Sequence, residues 1–363
     1  MKRRLFRLPL FAALASFAAL PAAAAPMVVA DIPPVHSLAA RVMQGVGEPA
    51  SILPPGATPH GYSMRPSEAA RLQAADIVFW VGEGLTPWLD DAVESLAADA
   101  VSVELMEVPG VALLEFGEEG HGDHDDDHGR MEKHAHEDDH KEEHAHKDDD
   151  HKDEHAHKEE GGHKDEHGHK EEHAHKDEGD HKDEHGHEHH GDMDPHIWLD
   201  PANGKAMLAE MAARLAALDP ANADAYRANA AAGAAELGAL AARVEALVAP
   251  VRGKAFFTAH DAYRYFEHRF EIESTGSVAL SDATPPGPAR LDRIRSEMRE
   301  HGALCVFIEP QLDPKLARTA AEGSGARVAV LDPLGADLEA GPGLYPALIE
   351  NLARSLADCL AGS

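Results

Sequence analysis

Beyond its first two dozen residues the chain has no apolar run long enough to cross a bilayer, which excludes a membrane-spanning helix in the body of the protein. The Ala-rich stretch near 228–249 is interrupted by Glu236, Arg243 and Glu245, so it reads as a soluble helix. Positive charge is also scarce: 33 Lys and Arg face 65 Asp and Glu, for a formal net charge of −32. Such a surface repels nucleic acid and anionic lipid and concentrates cations. Cysteine is limited to Cys305 and Cys359. In an exported chain two cysteines pair or stay as two buried thiols, and pairing is the reading adopted here. It would close a loop of some 54 residues and add about 4 kcal/mol in the chain-entropy account. Finally, outside residues 117–191 there is no HExxH and no motif-supported general base, which leaves little for a zinc hydrolase to work with.

What is present begins with a secretory leader. Met1-Lys2-Arg3-Arg4 is basic, Leu8 to Leu20 is almost wholly apolar, and Pro21 to Ala25 supplies small residues for cleavage. Cleavage after Ala24 leaves Ala25-Pro26, with no cysteine to carry a lipid, and predicts a soluble periplasmic protein. The remaining chain is larger than one hydrophobic core normally serves, so two lobes are expected.

Between 117 and 191 the composition changes abruptly. Of 27 histidines in the chain, 21 fall in this tract among 29 acidic residues, in near-repeats such as HKDEHAHKEE at 151–160 and HKDEHGHKEE at 163–172. With so little apolar area it cannot repay an ordering entropy of roughly 1–2 kcal/mol per residue, so a mobile loop is predicted. Its imidazoles and carboxylates suit borderline divalent ions at modest affinity, which predicts an auxiliary metal collector rather than a plain acidic linker.

On both sides of the tract, short apolar runs alternate with amphipathic ones. Met27–Ala30, Ile77–Val81 and Val101–Val103 read as strands before it; Ala255–Thr258, Cys305–Ile308 and Arg327–Leu331 read as strands after it. Ser67–Ala75 and Arg290–Arg299 read as helices, and the alternation predicts an α/β fold with mainly parallel sheets flanked by helices. Asp219-Pro220 opens an almost breaker-free run to Val248, roughly 40 Å if helical. The predicted organisation is therefore a signal peptide at 1–24, an N-terminal lobe at 25–218 holding the loop at 117–191, a connecting helix at 219–249 and a C-terminal lobe at 250–363.

Outside leader and tract, six histidines remain: His36, His60, His196, His260, His268 and His301. His60 sits in a Pro/Gly-rich turn from Pro54 to Tyr62, and His196 sits in Asp194-Pro195-His196-Ile197-Trp198-Leu199-Asp200-Pro201. His260 follows a predicted strand directly, where parallel sheets bind ligands. Asp332 ends another strand in Leu331-Asp332-Pro333-Leu334-Gly335. Three imidazoles and a carboxylate make a four-ligand Zn²⁺ set. Taken singly, each is equally readable as a turn residue bound to backbone.

Together with His60 to Ser67, His260-Asp261-Ala262-Tyr263-Arg264-Tyr265-Phe266 and Ile308-Glu309-Pro310-Gln311, these phrases resemble the ZnuA family of zinc-uptake solute-binding proteins. The resemblance spans nearly the whole mature chain, with five motifs in the family's order and the His-rich insertion between the first two ligand positions. It implies two α/β lobes joined by one long rigid helix, one Zn²⁺ in the cleft between them, and His60, His196, His260 and Asp332 at the metal positions. A histidine at the third position, where manganese and iron relatives resemble one another in carrying glutamate, implies zinc. Cys305 and Cys359 resemble the cysteine pair of the zinc members. In one respect the chain departs from some relatives: Pro59 stands where they have glutamate, so the fourth ligand is Asp332 or water.

The predicted function is capture of periplasmic Zn²⁺ and delivery to a membrane ABC permease and its ATPase, by a monomer that can also take metal from a periplasmic zinc chaperone. The alternatives are a periplasmic metal buffer without a transporter and a zinc hydrolase. In the latter, Glu309 or Asp261 would have to act as base, although each is more simply a residue that orients a ligand or shapes a turn.

Overall fold

The computed structural model describes residues 24–116, 193–279 and 286–362; residues 1–23 of the leader expected at 1–24, and the His-rich tract at 117–191 expected as a mobile loop, lie outside them. The chain folds around two four-stranded parallel sheets. The first comprises β1 (Val28–Ala30), β2 (Ala50–Ser51), β3 (Ile77–Trp80) and β4 (Val101–Glu104), in the order β2-β1-β3-β4. The second comprises β5 (Phe256–His260), β6 (Gly276–Ala279), β7 (Cys305–Ile308) and β8 (Arg327–Val330), in the order β6-β5-β7-β8. Both sheets thus have the same winding. Each has a switch point between its first and third strands, where the connections leave to opposite sides and open a crevice at the strands' carboxyl ends.

All six strands expected from the sequence are present, within two residues of the expected ends. β2 and β6 are additional. β2 is two residues long, too short to show a period, and β6 begins Gly276-Ser277, residue types that signal a turn. In both, pairing to a central neighbour overrides local preference: Ala50 pairs with Val29 and Ser277 with Thr258. β8 is an edge strand. Val328 and Val330 are 42 % and 48 % exposed, although the apolar run alone suggests burial.

Helices connect and cover the strands. Proline opens most of them, where its missing N–H costs nothing: α1 (Pro33–Val42), α2 (Pro66–Gln73), α3 (Pro87–Leu96), α4 (Pro201–Leu218), α7 (Pro288–Glu300) and α8 (Pro314–Ala321). The Asp200 carboxylate caps α4 by accepting from the Ala202 amide at 2.7 Å. The long helix predicted after Asp219 is α5 (Ala223–Val248), 26 residues entered through a 3₁₀ turn at Pro220–Asn222. Asp219 marks the junction. Its Oδ2 accepts from Asn222 Nδ2 at 2.7 Å and from the Tyr226 hydroxyl at 2.9 Å, and these bonds hold its carboxyl below the usual range.

The helix α5 buries Tyr226, Ala230, Gly233, Leu237, Leu240, Val244 and Val248, spaced three or four residues apart along one face. That face meets α1, α4 and the C-terminal helix α9 (Leu344–Ala361). As a result, one buried cluster runs continuously from Val28 in the first sheet to Leu360 in α9. Small residues permit the close approach. A Cβ on Gly204 of α4 would stand 2.6 Å from the Tyr345 hydroxyl oxygen, the atom through which α9 bonds the backbone before α4.

The cysteines are joined, Cys305 of β7 to Cys359 of α9, with Cα atoms 6.3 Å apart. The bridge fastens the last helix to a central strand of the second sheet. Among the described residues no helix is long and apolar enough to cross a membrane.

Candidate metal centre

The site is built from three separate stretches of chain. The first is the irregular loop after β2. Its proline and glycine content prevents regular structure, with Gly56 at φ +78°. Trp88 of α3 fixes the loop: its indole N–H donates to the Pro59 carbonyl at 2.6 Å. Tyr62 closes it from the other side by donating to Glu68 at 2.9 Å, while Glu68 accepts from the Arg65 amide at the start of α2. His60 lies between these two anchors.

His196 precedes a 3₁₀ turn at Ile197–Leu199. Asp194 Oδ1 accepts from both the His196 backbone amide at 2.9 Å and its Nδ1 at 2.7 Å. His260 is the last residue of β5, and its Nδ1 donates to Glu309 Oε1 at 2.8 Å. Glu309 immediately follows β7, so the pair bridges the switch point of the second sheet.

A carboxylate can only accept, so both Nδ1 atoms carry the proton and both Nε2 lone pairs face outward. They face each other: the Nε2 atoms of His196 and His260 are 3.5 Å apart. Two acceptor nitrogens at that distance repel unless something positive lies between them. Ligands about 2.05 Å from a tetrahedral zinc ion stand about 3.3 Å from one another, close to the observed separation. His60 completes the group, its ring centroid 5.5 Å from that of His196. One ligand atom from each of His60, His196 and His260 lies within 4.8 Å of the others. The cavity they line measures about 10 Å³, the space of roughly one water-sized sphere.

Burial and its neighbours suit the His60 ring to stay neutral. Burial first, then the fields of His196 and His260, push the His60 imidazole down to about 3. It therefore offers a lone pair throughout the physiological range.

The structure brings three of the four expected metal residues together and leaves the fourth aside. Asp332 is occupied by its own loop: Oδ1 accepts from Gln311 Nε2, Leu334 N and Gly335 N, and Oδ2 from Ala336 N at 2.6 Å. Among the described residues the metal-competent group is the three histidines alone. Asp261 is also outside it, its carboxyl raised by burial. Glu309 binds the ring it orients. The parts not assigned from sequence are Asp194 and Gln311. Asp194 lies two residues before His196, the right spacing for an Asx turn, and that spacing is the signal that could have found it.

The orienting carboxylates give a first expectation. Glu309→Gln and Asp194→Asn should each weaken zinc binding by about 10–100-fold through loss of the ring's fixed tautomer, with stoichiometry unchanged in competition titration.

Two sheets wound alike, with three inward-facing imidazoles beside the switch point of one of them, define an α/β solute-binding protein with a nitrogen-donor metal cleft. The comparisons narrow that class. The family model described as ZnuA, zinc-uptake complex component A periplasmic, matches residues 28–359, and the chain belongs to that family. It is 42 % identical over 334 residues to the high-affinity zinc uptake system protein ZnuA of Brucella suis, covering 92 % of this chain and 91 % of that one. It is 44 % identical over 345 residues to the Paracoccus denitrificans protein of the same name, covering 94 % of each. A crystal structure of ZnuA shares the fold with a TM-score of 0.64 at 21 % identity, over 93 % of this chain and 99 % of that one. A zinc-bound ZnuA deletion mutant gives a TM-score of 0.65 at 21 % identity, with the same coverage.

Proposed function

We propose that this chain captures Zn²⁺ in the periplasm on His60, His196 and His260 and hands it to a membrane ABC transporter for high-affinity uptake. The observation that carries this reading is the convergence of three imidazole donors within 4.8 Å of one another in a cavity of about 10 Å³. Neutral nitrogen donors and a small, partly dry space favour zinc over ions that need six or more oxygens. Family membership adds the transport role and sets the chain among binding components rather than enzymes. Glu309, the base a hydrolase would need, is already bound to His260.

The finer parts of the reading are the leader at 1–24, removed on export, a monomer as the working form, and handover to the permease and its ATPase. A periplasmic zinc chaperone would be a source of the metal. The tract at 117–191 would collect metal loosely near the site through its 21 histidines. Titration of the metal-stripped protein tests the core of the proposal: one tight equivalent is expected, together with weaker ones. Deleting 118–190 should remove the weak sites and spare the tight one. Tight binding that survives simultaneous replacement of all three histidines would overturn the assignment, and a purified permease that ignores the zinc-loaded form would leave a metal buffer.

The depressed His60 ring sets the pH behaviour. Three ordinary imidazoles would each release a proton on binding below about pH 6.5, which makes affinity steep in pH. His60, at about 3, is already unprotonated there. The slope of log affinity against pH between 5 and 6 should therefore not exceed about two. For the metal-free fold the sign is as follows: the unfolded chain protonates His60 near 6.5 and the folded one only near 3, so stability falls as pH drops through that window. Zinc titrations and melting curves across pH 4–7 check both.

A further inference from the structure

Gln311 lines the same cavity as the three imidazoles and has no part in holding them. Its amide is oriented by a single contact, Nε2 donating to Asp332 Oδ1 at 2.8 Å. Because a carboxylate cannot donate, that contact decides which end of the amide faces which way: the NH₂ toward Asp332, the oxygen away from it. Asp332 cannot turn to follow, since the amides of Leu334, Gly335 and Ala336 hold both its oxygens.

The consequence is a buried carbonyl, Gln311 Oε1, that accepts no hydrogen bond from the described residues. A buried acceptor left so is costly and calls for a donor. Most donors on the neighbouring walls are already committed. The Trp198 indole N–H is taken by the Pro333 carbonyl at 2.8 Å, and the Leu334 amide by Asp332. Pro59 and Pro333 have no N–H. The Nδ1 protons of His196 and His260 are committed to Asp194 and Glu309. A molecule held inside the cavity would supply the donor.

Three nitrogens leave the fourth corner of a zinc tetrahedron open, and a water bound there is a strong donor because the ion withdraws charge from it. We propose that Gln311 Oε1 accepts a hydrogen bond from the water that completes the zinc coordination, with Asp332 acting through Gln311 as the group that fixes the amide. Gln311 is thereby a positioning and specificity-determining residue, keeping a neutral oxygen at the fourth corner in place of a carboxylate. This inference rests on the zinc reading above.

Cobalt(II) is the probe, since it takes tetrahedral nitrogen and oxygen sites and its visible spectrum reports coordination and ionisation of bound water. Wild-type protein should give a four-coordinate spectrum with one pH step. Gln311→Met, of similar size but lacking the acceptor, should bind zinc about tenfold more weakly at unchanged stoichiometry. Its cobalt step should move to lower pH, because the lost acceptor favoured water over hydroxide. A purely structural role would leave the step in place. Unchanged zinc affinity together with an unchanged step would overturn the proposal. Crystals of the zinc-loaded wild type decide it independently of how the variant folds: a metal-bound water about 3 Å from Gln311 Oε1 is expected, and a carboxylate at the fourth corner refutes it. A wild type that binds no zinc on the histidines defeats the function itself, whereas zinc there without such a water defeats this inference alone.

Discussion

His260→Ala is expected to lower zinc affinity by far more than the roughly 100-fold that loss of an orienting partner costs. The substitution removes one of three nitrogens and damages what remains. Glu309 is 3 % exposed and its carboxylate is bound to His260 Nδ1. Without the ring that charge is buried with a lost partner, a penalty of about 1–3 kcal/mol that the folded state must also carry. Two signatures should therefore appear together: collapse of binding in a chelator competition assay, and a lower melting temperature even without metal. The double variant His260→Ala with Glu309→Ala should recover part of the stability and none of the binding. His268→Ala and His301→Ala, outside the cluster and exposed, serve as controls at wild-type affinity. Wild-type affinity in His260→Ala would remove β5 from the site.

The second large effect is on stability. Replacing Cys305 and Cys359 together with alanine should cost about 4 kcal/mol, the chain-entropy value for a loop of 54 residues. Cys305 is fully buried, so alanine avoids placing an unpaired hydroxyl in the core. Denaturant unfolding of the oxidised wild type against the double variant measures the difference, and reduction of the wild type should reproduce most of it. Zinc affinity should change little, because the bridge lies at the start of β7 and Glu309 lies beyond its other end. A loss in affinity as large as the loss in stability would show that α9 shapes the site directly.

The strongly patterned elements were legible in the sequence. Runs such as Ile77–Trp80 and Cys305–Ile308 are apolar throughout because both sheet faces are covered, and α5 announces itself by length and by the absence of breakers. β2 and β6 were not legible, since they exist only through pairing with neighbours far away in sequence. The three histidines stood out by elimination, loop chemistry and position after a strand. The place of Asp332 did not. A strand-end aspartate can ligate a metal or cap its own loop, and the choice depends on where the amides of Leu334, Gly335 and Ala336 fall. His196 holds a subtler lesson. By the expected division it belongs with the stretch before 219, yet its surroundings tie it to the stretch after 250.

Those ties are specific. The Tyr265 hydroxyl donates to the Asp194 carbonyl, the Trp198 indole to the Pro333 carbonyl, the Arg269 guanidinium to both Asp200 oxygens, and the Tyr345 hydroxyl to the Trp198 carbonyl. The segment around His196 is therefore riveted to the same body that carries His260, while His60 hangs from Trp88 and α2 on the opposite bank. A grip made of two fixed jaws and one separately mounted finger lets go asymmetrically. Any relative drift of the banks should be felt first at His60, and a metal held by all three rings would then leave the His196–His260 pair last.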